Sequence, residues 1–200
     1  MNIIVRLLND DNNKERFIMN SLLFIIVFIV FSLAEIWISI RFAMLKKRMY
    51  LQAVLTMFTL VFLYILSDLI FNIGVPKLIL TSVMVSIFIQ TYCGYYLDLF
   101  MRSKIFDRYL HAFGTFSFAL FFYSILGIMI RPSVSPKLFV SIFIFTLGMT
   151  VGVFFEIIEF IMDKIKHTKM QKNLKDTNFD IIFDIIGSLL AAAIGYFLLP

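Results

Sequence analysis

Six long apolar runs constrain the fold of this chain more than any other feature of its sequence. A helix rises about 1.5 Å per residue, so about 20 apolar residues cross the roughly 30 Å hydrocarbon core of a bilayer. The runs extend over Ser21 to Ile40, Leu51 to Ile73, Leu78 to Leu97, Tyr109 to Ile130, Leu138 to Met162 and Phe179 to Leu199. The sequence therefore predicts an all-α fold, a polytopic transmembrane bundle of six helices.

The composition excludes the soluble classes of protein. Apolar side chains make up 61% of the 200 residues and charged ones 16%, whereas soluble domains are about 45 to 50% apolar and about 25% charged. The net charge of +5 does not indicate nucleic-acid binding, because the basic residues lie in short gaps between apolar runs and not on one exposed face. We expect the lipid bilayer to be a partner of the chain and nucleic acid not to be one.

The distribution of charge predicts the topology. Residues 21–200 are expected to form one membrane domain, after an amino-terminal segment of residues 1–20 that contains a short apolar stretch suited to a surface helix. The first apolar run is too long for a cleaved signal peptide, so we expect it to be retained. Twelve lysines and arginines fall in the first, third and fifth loops, and six fall on the other side. The positive-inside rule then predicts that these three loops are cytoplasmic and that both termini are outside.

Acidic side chains lie within or at the edge of the last three predicted helices, where membrane helices rarely carry them. Asp107 and His111 begin the fourth helix, Glu156, Glu159 and Asp163 end the fifth, and Asp176, Asp180 and Asp184 begin the sixth. These three helix ends lie on one side of the membrane, because successive spans run in opposite directions. At 100° per residue, the acids of the fifth helix fall in an arc of about 60° and those of the sixth in an arc of about 80°.

Small residues share the faces that carry these acids. Gly148 and Gly152 precede Glu156 at intervals of four, while Asp184 is followed by Gly187 on the same face. Small residues at this spacing let membrane helices approach closely, so we expect the acidic faces to point at protein. A charged carboxylate near a helix centre costs about 2.5 to 3.5 kcal/mol. Several of them together require a cation, protons or water as compensation.

Simpler explanations stay open for individual acids. Thr177 and Asp180 have the spacing of a capping box at an amino-terminal helix end. Asp163 and Asp176 can be ordinary interfacial acids. For Glu156 and Glu159 the alternative is ion pairing, with the basic residues Arg108, Lys164 and Lys166 as candidate partners.

Two further acids lie in the earlier helices. Glu35 in the first helix is expected to pair with Arg41, which follows it by six residues. Asp68 and Asn72, one turn apart near the end of the second helix, belong to the opposite side of the bundle by parity. We expect these two residues to form a local polar patch.

The order of these motifs resembles that of a known family. The pattern D-x-x-x-H at the head of one helix, G-x-x-x-E-x-x-E-x-x-x-D at the tail of the next and D-T-x-x-D-x-x-x-D-x-x-G in the last resembles the YjdF-like family of bacterial inner-membrane proteins. It resembles more distantly the VanZ-like family associated with glycopeptide resistance. The likeness covers about residues 98–199. It implies a multi-pass protein of the bacterial cytoplasmic membrane and a set of polar family positions, but no reaction.

From the residues we predict a cytoplasmic-side cavity that binds one or two divalent cations. The predicted ligands are Asp107, His111, Glu156, Glu159, Asp163, Asp180 and Asp184. Oxygen-rich sites of this kind suit magnesium, manganese or calcium. If the chain is an enzyme, the site suits a lipid-linked phosphate as its substrate, because a bound metal would polarise a phosphoryl oxygen while a free carboxylate handles water.

Whether the chain is an enzyme stays open, as do two other classes of function. The sequence has no Ser-His-Asp constellation, no phosphate-binding glycine loop and no H-E-x-x-H motif. A proton- or cation-coupled transporter is one alternative, because acids within a bundle can relay protons or carry a cation. The other alternative is a non-catalytic membrane assembly or resistance factor whose acids hold its core together.

Overall fold

The computed structural model describes residues 3–103, 105–130, 136–166, 168 and 170–198, with side chains in these ranges from residue 19 to residue 197. Every regular element in these ranges is helical, so the predicted all-α class is confirmed. The elements are α1 (Ile3–Met44), α2 (Arg48–Phe71), α3 (Lys77–Phe88), a π-helix (Ile89–Tyr96), α4 (Leu99–Arg102), α5 (Phe106–Ile130), α6 (Lys137–Lys166) and α7 (Leu174–Leu198).

Six helical segments of the described chain are long and apolar enough to cross a membrane, as predicted. They are Met19–Met44, Arg48–Phe71, Lys77–Tyr96, Phe106–Ile130, Lys137–Lys166 and Leu174–Phe197. Their outer faces carry large apolar side chains: Leu69 is 77% exposed and Phe197 is 75% exposed. Such extensive apolar surface is expected where lipid, and not water, surrounds a protein.

The first helix is longer than the first predicted span. Because α1 begins at Ile3, the residues of the predicted amino-terminal segment continue into the span without a break. Whether residues 1–20 lie on the membrane surface stays a prediction.

The last helix begins five residues earlier than its apolar run, which starts at Phe179. Asn173 caps α7, because its side-chain oxygen accepts a hydrogen bond of 3.2 Å from the backbone N–H of Asp176. Thr177 and Asp180 therefore lie inside the helix, and the capping-box explanation for Asp180 is wrong.

The helices pack as a close group of three that is joined to the rest through α3. Helices α5, α6 and α7 contact one another, α3 contacts both α5 and α1, and α2 contacts α1. Apolar side chains fill the interior of the three-helix group, among them Ala119, Ile144 and Ala191. The last three predicted spans thus form one structural unit, as their small-residue faces indicated.

Glycines allow the close approach within this unit. A Cβ built at Gly152 of α6 would lie 2.9 Å from the Cβ of Asp184 on α7, well inside van der Waals contact. A Cβ built at Gly187 of α7 would lie 2.8 Å from the carbonyl carbon of Ala112 on α5. The predicted role of these small residues is confirmed, and the side chain of Asp184 lies in the space that Gly152 leaves.

The carboxyl-terminal part of the third span is a π-helix, which the apolar pattern did not predict. Its closing hydrogen bond runs from the N–H of Leu97 to the carbonyl of Tyr92, five residues earlier, at 2.9 Å. Asp98 then adopts a left-handed conformation, with φ of 63°, and the short α4 follows. Single π-helical turns are frequent at functional sites, because the extra residue changes which side chains face inward.

The expected polar patch at the opposite end of the bundle is observed. Asn72 ends α2 in a left-handed conformation, with φ of 51°. The Asp68 carboxylate accepts a hydrogen bond of 2.7 Å from the N–H of Gly74. These residues form a local turn.

A candidate cation site at one end of the bundle

Carboxylates and one histidine from three helices meet at one end of the bundle, as helix parity predicted. The amino-terminal end of α5, the carboxyl-terminal end of α6 and the amino-terminal part of α7 supply them. We call the group the acidic cluster; its members are Asp107, His111, Glu156, Glu159, Asp176, Asp180 and Asp184. Several members are deeply buried: Asp184 is 0% exposed, Asp180 3% and Glu156 6%.

His111 lies at the centre of the acidic cluster. Its Nδ1 is 3.0 Å from Oδ1 of Asp184. Its Nε2 is 3.8 Å from Oε1 of Glu156 and 4.0 Å from Oδ1 of Asp107. A histidine that donates from one ring nitrogen to a carboxylate presents its other nitrogen as a metal ligand in many proteins. Asp184 thus orients the imidazole so that Nε2 faces the remaining acids.

The acidic cluster contains three groups of residues that could each hold a metal ion. Within each group the ligand atoms lie within 4.8 Å of one another. The groups are Asp107 with His111 and Glu159, His111 with Glu156 and Asp180, and Asp107 with Asp176 and Asp180. Because each pair of groups shares a residue, the three positions adjoin.

Buried oxygens of the acidic cluster lack hydrogen-bond partners. Glu156 Oε1, Asp180 Oδ1 and Asp184 Oδ2 are inaccessible to solvent and accept no hydrogen bond from the protein. Buried polar atoms are nearly always paired, because leaving one unpaired costs its desolvation free energy. The oxygens of Glu156 and Asp180, which belong to the ligand groups, therefore provide acceptor capacity that a cation would use.

The loop between α6 and α7 adds two polar residues that the sequence analysis missed. Gln171 Nε2 donates to Glu156 Oε2 at 2.8 Å. Lys172 Nζ lies 3.2 Å from Oδ2 of Asp176 and 3.4 Å from Oδ2 of Asp107. Burial lowers the pKa of Lys172, but the carboxylates of Asp107 and Asp176 outweigh this and raise its pKa overall. Lys172 is therefore an ammonium at neutral pH.

Asp163, which was predicted to be a ligand, lies apart from the three groups. Its Oδ1 accepts hydrogen bonds from the hydroxyl of Thr168 and, at 2.8 Å, from the N–H of Met170. Its Oδ2 accepts from the N–H of Gln171 at 3.0 Å. Because both oxygens are used by loop donors, Asp163 shapes the loop that carries Gln171 and Lys172.

The ion pairs offered as an alternative for Glu156 and Glu159 are not observed in the described residues. Arg108 lies over the ring of Phe179, 4.0 Å from its centroid, and Lys164 lies 5.5 Å from the ring centroid of Phe160. The basic residues at these helix ends cover aromatic rings at the surface. They do not offset the charge of the acidic cluster, and among the described lysines and arginines Lys172 is the one that forms ion pairs with it.

Glu35 does not pair with Arg41, so that prediction is wrong. Its Oε1 accepts a hydrogen bond of 2.8 Å from the Thr91 hydroxyl, and the side chain is fully buried. Arg41 instead lies 6.0 Å from the ring centroid of Trp37. The physical reason is the spacing, because six residues at 100° each place Arg41 about 120° away from Glu35 around α1.

Two cavities adjoin the acidic cluster. One, of about 40 Å³, contacts Asp107, His111 and Glu159, and is large enough for a water molecule. The other, of about 280 Å³, is lined by the carboxylates of Asp98, Asp107 and Glu159, by Lys172 and by aromatic rings. The rings are those of Tyr50, Tyr95 and Phe100. The rings suit an apolar group, whereas an anionic group would need a cation beside it, because the carboxylates outnumber the lysine.

The fold and the acidic cluster define a polytopic helical membrane protein with a buried carboxylate and histidine site. Residues 20–200 match the family described as "Predicted membrane protein (DUF2238)", and the chain belongs to that family. An uncharacterized protein of Thermotoga maritima is 37% identical over 123 residues, which cover 60% of this chain and 61% of that protein. The match thus spans less than two thirds of that relative's length. No solved structure matches the chain.

Proposed function

We propose that this membrane protein binds a divalent cation in the acidic cluster. One observation carries the proposal. His111, Glu156 and Asp180 offer ligand atoms within 4.8 Å of one another, and two of these buried carboxylates each have an oxygen without a partner. An imidazole with carboxylate oxygens suits manganese and magnesium, with calcium as a third candidate.

The balance of charge also supports a cation. The cluster contains six carboxyl groups, and Lys172 is the cation that forms ion pairs with it in the described structure. Two unit charges 4 Å apart interact by about 4 kcal/mol at an effective dielectric constant of about 20. If all six were ionised, their mutual repulsion would be comparable to the whole stability of a domain, which is about 5 to 15 kcal/mol, so the cluster requires protons or a cation. A divalent cation bound among them removes most of this repulsion.

The larger cavity supports a phosphate-bearing lipid headgroup as the substrate class. A phosphate in this cavity would lie between Asp107, whose Oδ1 is 4.0 Å from Nε2 of His111 in the cation site, and the ammonium of Lys172. The apolar part of the ligand would contact the rings of Tyr50 and Tyr95, which stack on each other at 5.0 Å. A bound divalent cation would supply polarisation of a phosphoryl oxygen.

Hydrolysis of a phosphate ester is the reaction that this arrangement suits. Water would form the new bond to phosphorus as the bond to the ester oxygen breaks. Glu159, which borders both cavities, would accept the proton from water and return it to the leaving oxygen.

The VanZ-like resemblance stays a prediction.

Transport has less support from the fold. Beyond the acidic cluster, the described interior of the α5, α6 and α7 group contains the buried hydroxyls of Thr115, Ser117 and Ser188 among apolar side chains, but no further carboxylate. The chain of acids that a proton or cation path would use therefore ends at the cluster. We place the cluster on the cytoplasmic side of the bacterial inner membrane, because it adjoins the loops that are richest in lysine and arginine.

The test is titration of Mn²⁺ into the purified, EDTA-stripped protein in detergent. We expect the wild type to bind Mn²⁺, and Glu156→Gln and Asp180→Asn to lose at least tenfold in affinity. At an Mn²⁺ concentration of 100 times Kd, the wild type should gain about 2.7 kcal/mol in unfolding free energy, and EDTA should abolish that gain.

Glu35→Gln is the matched control, because it removes a buried carboxylate outside the acidic cluster. This variant should bind Mn²⁺ like the wild type. A wild-type protein that binds no divalent cation, or cluster variants that bind as tightly as the wild type, would contradict the proposal.

A further inference from the structure

The ammonium of Lys172 occupies one of the three ligand groups of the acidic cluster. Its Nζ lies between Oδ2 of Asp176, at 3.2 Å, and Oδ2 of Asp107, at 3.4 Å. These two acids and Asp180 form the group with ligand atoms within 4.8 Å of one another. A lysine side chain therefore lies where the protein offers three carboxylates to a cation.

The ammonium does not satisfy this group completely. Oδ1 of Asp180 is buried and has no hydrogen-bond partner, and the Asp180 side chain belongs to a residue that is only 3% exposed. Lys172 makes ion pairs with the other two acids of the group. A divalent cation prefers several oxygen ligands around one centre, so it would use the oxygen that the lysine leaves unpaired.

Lys172 covers the group from the side of the larger cavity. Its side chain is 27% exposed, whereas that of Asp107 is 6% exposed. The loop that carries it is fixed by Asp163, through bonds to the N–H groups of Met170 and Gln171. The hydrogen bonds between Asp163 and this loop thus hold Lys172 at the entrance of the group.

This group adjoins the one assigned to the proposed cation. Asp180 belongs to both groups. The third group shares Asp107 with the group that Lys172 occupies and His111 with the group assigned to the proposed cation. Sites for two metal ions that share a carboxylate commonly place the ions about 3.5 to 4 Å apart, where both contact one phosphate. The cluster therefore has the ligand arrangement of a dinuclear centre with an ammonium in one of its positions.

We propose that Asp107, Asp176 and Asp180 form a second divalent-cation site that Lys172 closes, so that the native protein pairs one metal ion with one lysine ammonium. This inference rests on the proposed function, because it takes the group of His111, Glu156 and Asp180 as the site of the first cation. The ligand class is a hard divalent cation such as Mn²⁺ or Mg²⁺.

The experiment measures Mn²⁺ stoichiometry for the full chain in detergent, by metal analysis after removal of free Mn²⁺. The variant is Lys172→Met, which keeps the length of the side chain and removes its charge. We expect one Mn²⁺ per wild-type chain and two per Lys172→Met chain. The EPR spectrum of the variant should show exchange coupling between two Mn²⁺ ions, and that of the wild type should not.

Three controls make the result specific. Lys175→Met removes an exposed lysine close to Lys172, and this variant should bind one Mn²⁺. Lys172→Arg keeps a cation at the position and should also bind one. Adding Asp176→Asn to Lys172→Met should return the stoichiometry to one, because the second group loses an anionic ligand.

The outcomes separate the two proposals. One Mn²⁺ in both the wild type and Lys172→Met would overturn the second site and leave the proposed function intact. No Mn²⁺ in the wild type would contradict the proposed function itself. Two Mn²⁺ in the wild type would show that Lys172 does not close the site. If Lys172→Met does not fold, Lys172→Gln is measured in its place against the same expectation.

Discussion

His111 and Asp184 form the contact on which the geometry of the acidic cluster depends. The bond of 3.0 Å from Nδ1 to the carboxylate fixes the ring orientation and leaves Nε2 facing Glu156 and Asp107. Asp184 is fully buried and lies in the space beside Gly152. In the proposed site it would therefore act on the cation through the histidine, as a positioning residue.

Replacing Asp184 with Asn tests this role. The amide keeps the shape of the side chain, but it removes the charge that stabilises the Nδ1–H form of His111. Loss of such an outer partner typically costs 10- to 100-fold in metal affinity, so we expect a decrease of about that size in Mn²⁺ affinity. Titration calorimetry measures the affinity, and circular dichroism should show an unchanged helix content. Wild-type affinity in Asp184→Asn would contradict the assigned role.

The Glu35 and Thr91 pair gives a second prediction for single residues. Thr91→Val keeps the volume of the side chain and removes the hydroxyl that donates to Glu35 Oε1. A buried acceptor left without a partner costs about 1 to 3 kcal/mol. We expect Thr91→Val to lose about that much unfolding free energy in detergent and to keep Mn²⁺ binding, whereas unchanged stability would contradict the importance of the bond.

At the scale of elements, the crossing of α6 and α7 determines whether the acidic cluster can form. Gly152 on α6 has no room for a side chain, because its built Cβ lies 2.9 Å from the Cβ of Asp184. Gly127 on α5 has no neighbouring atom within 4 Å of its built Cβ. The two glycines therefore form a matched pair for substitution by alanine.

Gly152→Ala should separate the two helices and displace Asp184. Overpacking typically costs about 1 to 3 kcal/mol, so we expect a lower thermal midpoint together with weaker Mn²⁺ binding. Gly127→Ala should leave Mn²⁺ binding unchanged and keep or slightly raise the midpoint, because alanine favours the helix by up to about 1 kcal/mol. Equal effects of the two substitutions on Mn²⁺ binding would contradict the role of the crossing.

Local periodicity predicted the elements that form the cluster. It did not predict where α7 begins or that the third span ends in a π-helix. The spacing of Glu156 and Glu159, together with Asp180 and Asp184, was sufficient to place four acids on facing helix surfaces. The start of α7 was missed, because Asn173 and Thr177 are both acceptable caps in the sequence and tertiary packing selects the first. The π-helix was missed because one extra residue in a turn does not change an apolar run.

The contacts that the loop between α6 and α7 makes with the cluster depend on tertiary structure. The spacing of residues in the sequence was therefore not sufficient to predict them. Gln171 and Lys172 reach the cluster because Asp163 accepts hydrogen bonds from loop N–H groups. The one local signal was the interval of four between Lys172 and Asp176, which is typical of a helix ion pair. In the sequence alone, this lysine was interpreted only as a topology signal.

At the scale of the whole molecule, the topology decides which compartment would supply the proposed cation and substrate. In the described structure, the acidic cluster adjoins the loop that follows α6. By the alternation of the six spans, this loop lies on the side with twelve of the eighteen lysines and arginines. We expect that side to be the cytoplasm.

Cysteine labelling in a Cys93→Ala background tests the orientation. A membrane-impermeant maleimide should label Lys175→Cys in inside-out vesicles and not in right-side-out vesicles. Lys137→Cys, at the start of α6 and so at the other end of the bundle, should show the reverse. Labelling of Lys175→Cys in right-side-out vesicles would contradict the predicted topology.

The most direct test of the cation site is pulsed EPR of the protein loaded with substoichiometric Mn²⁺. Nitrogen coupling from His111 should appear in the Mn²⁺ spectrum of the wild type. It should disappear in His111→Gln and persist in His167→Gln, which alters the second of the two histidines. A wild-type spectrum without nitrogen coupling, or coupling that survives in His111→Gln, would contradict a metal ion bound at His111 in the acidic cluster.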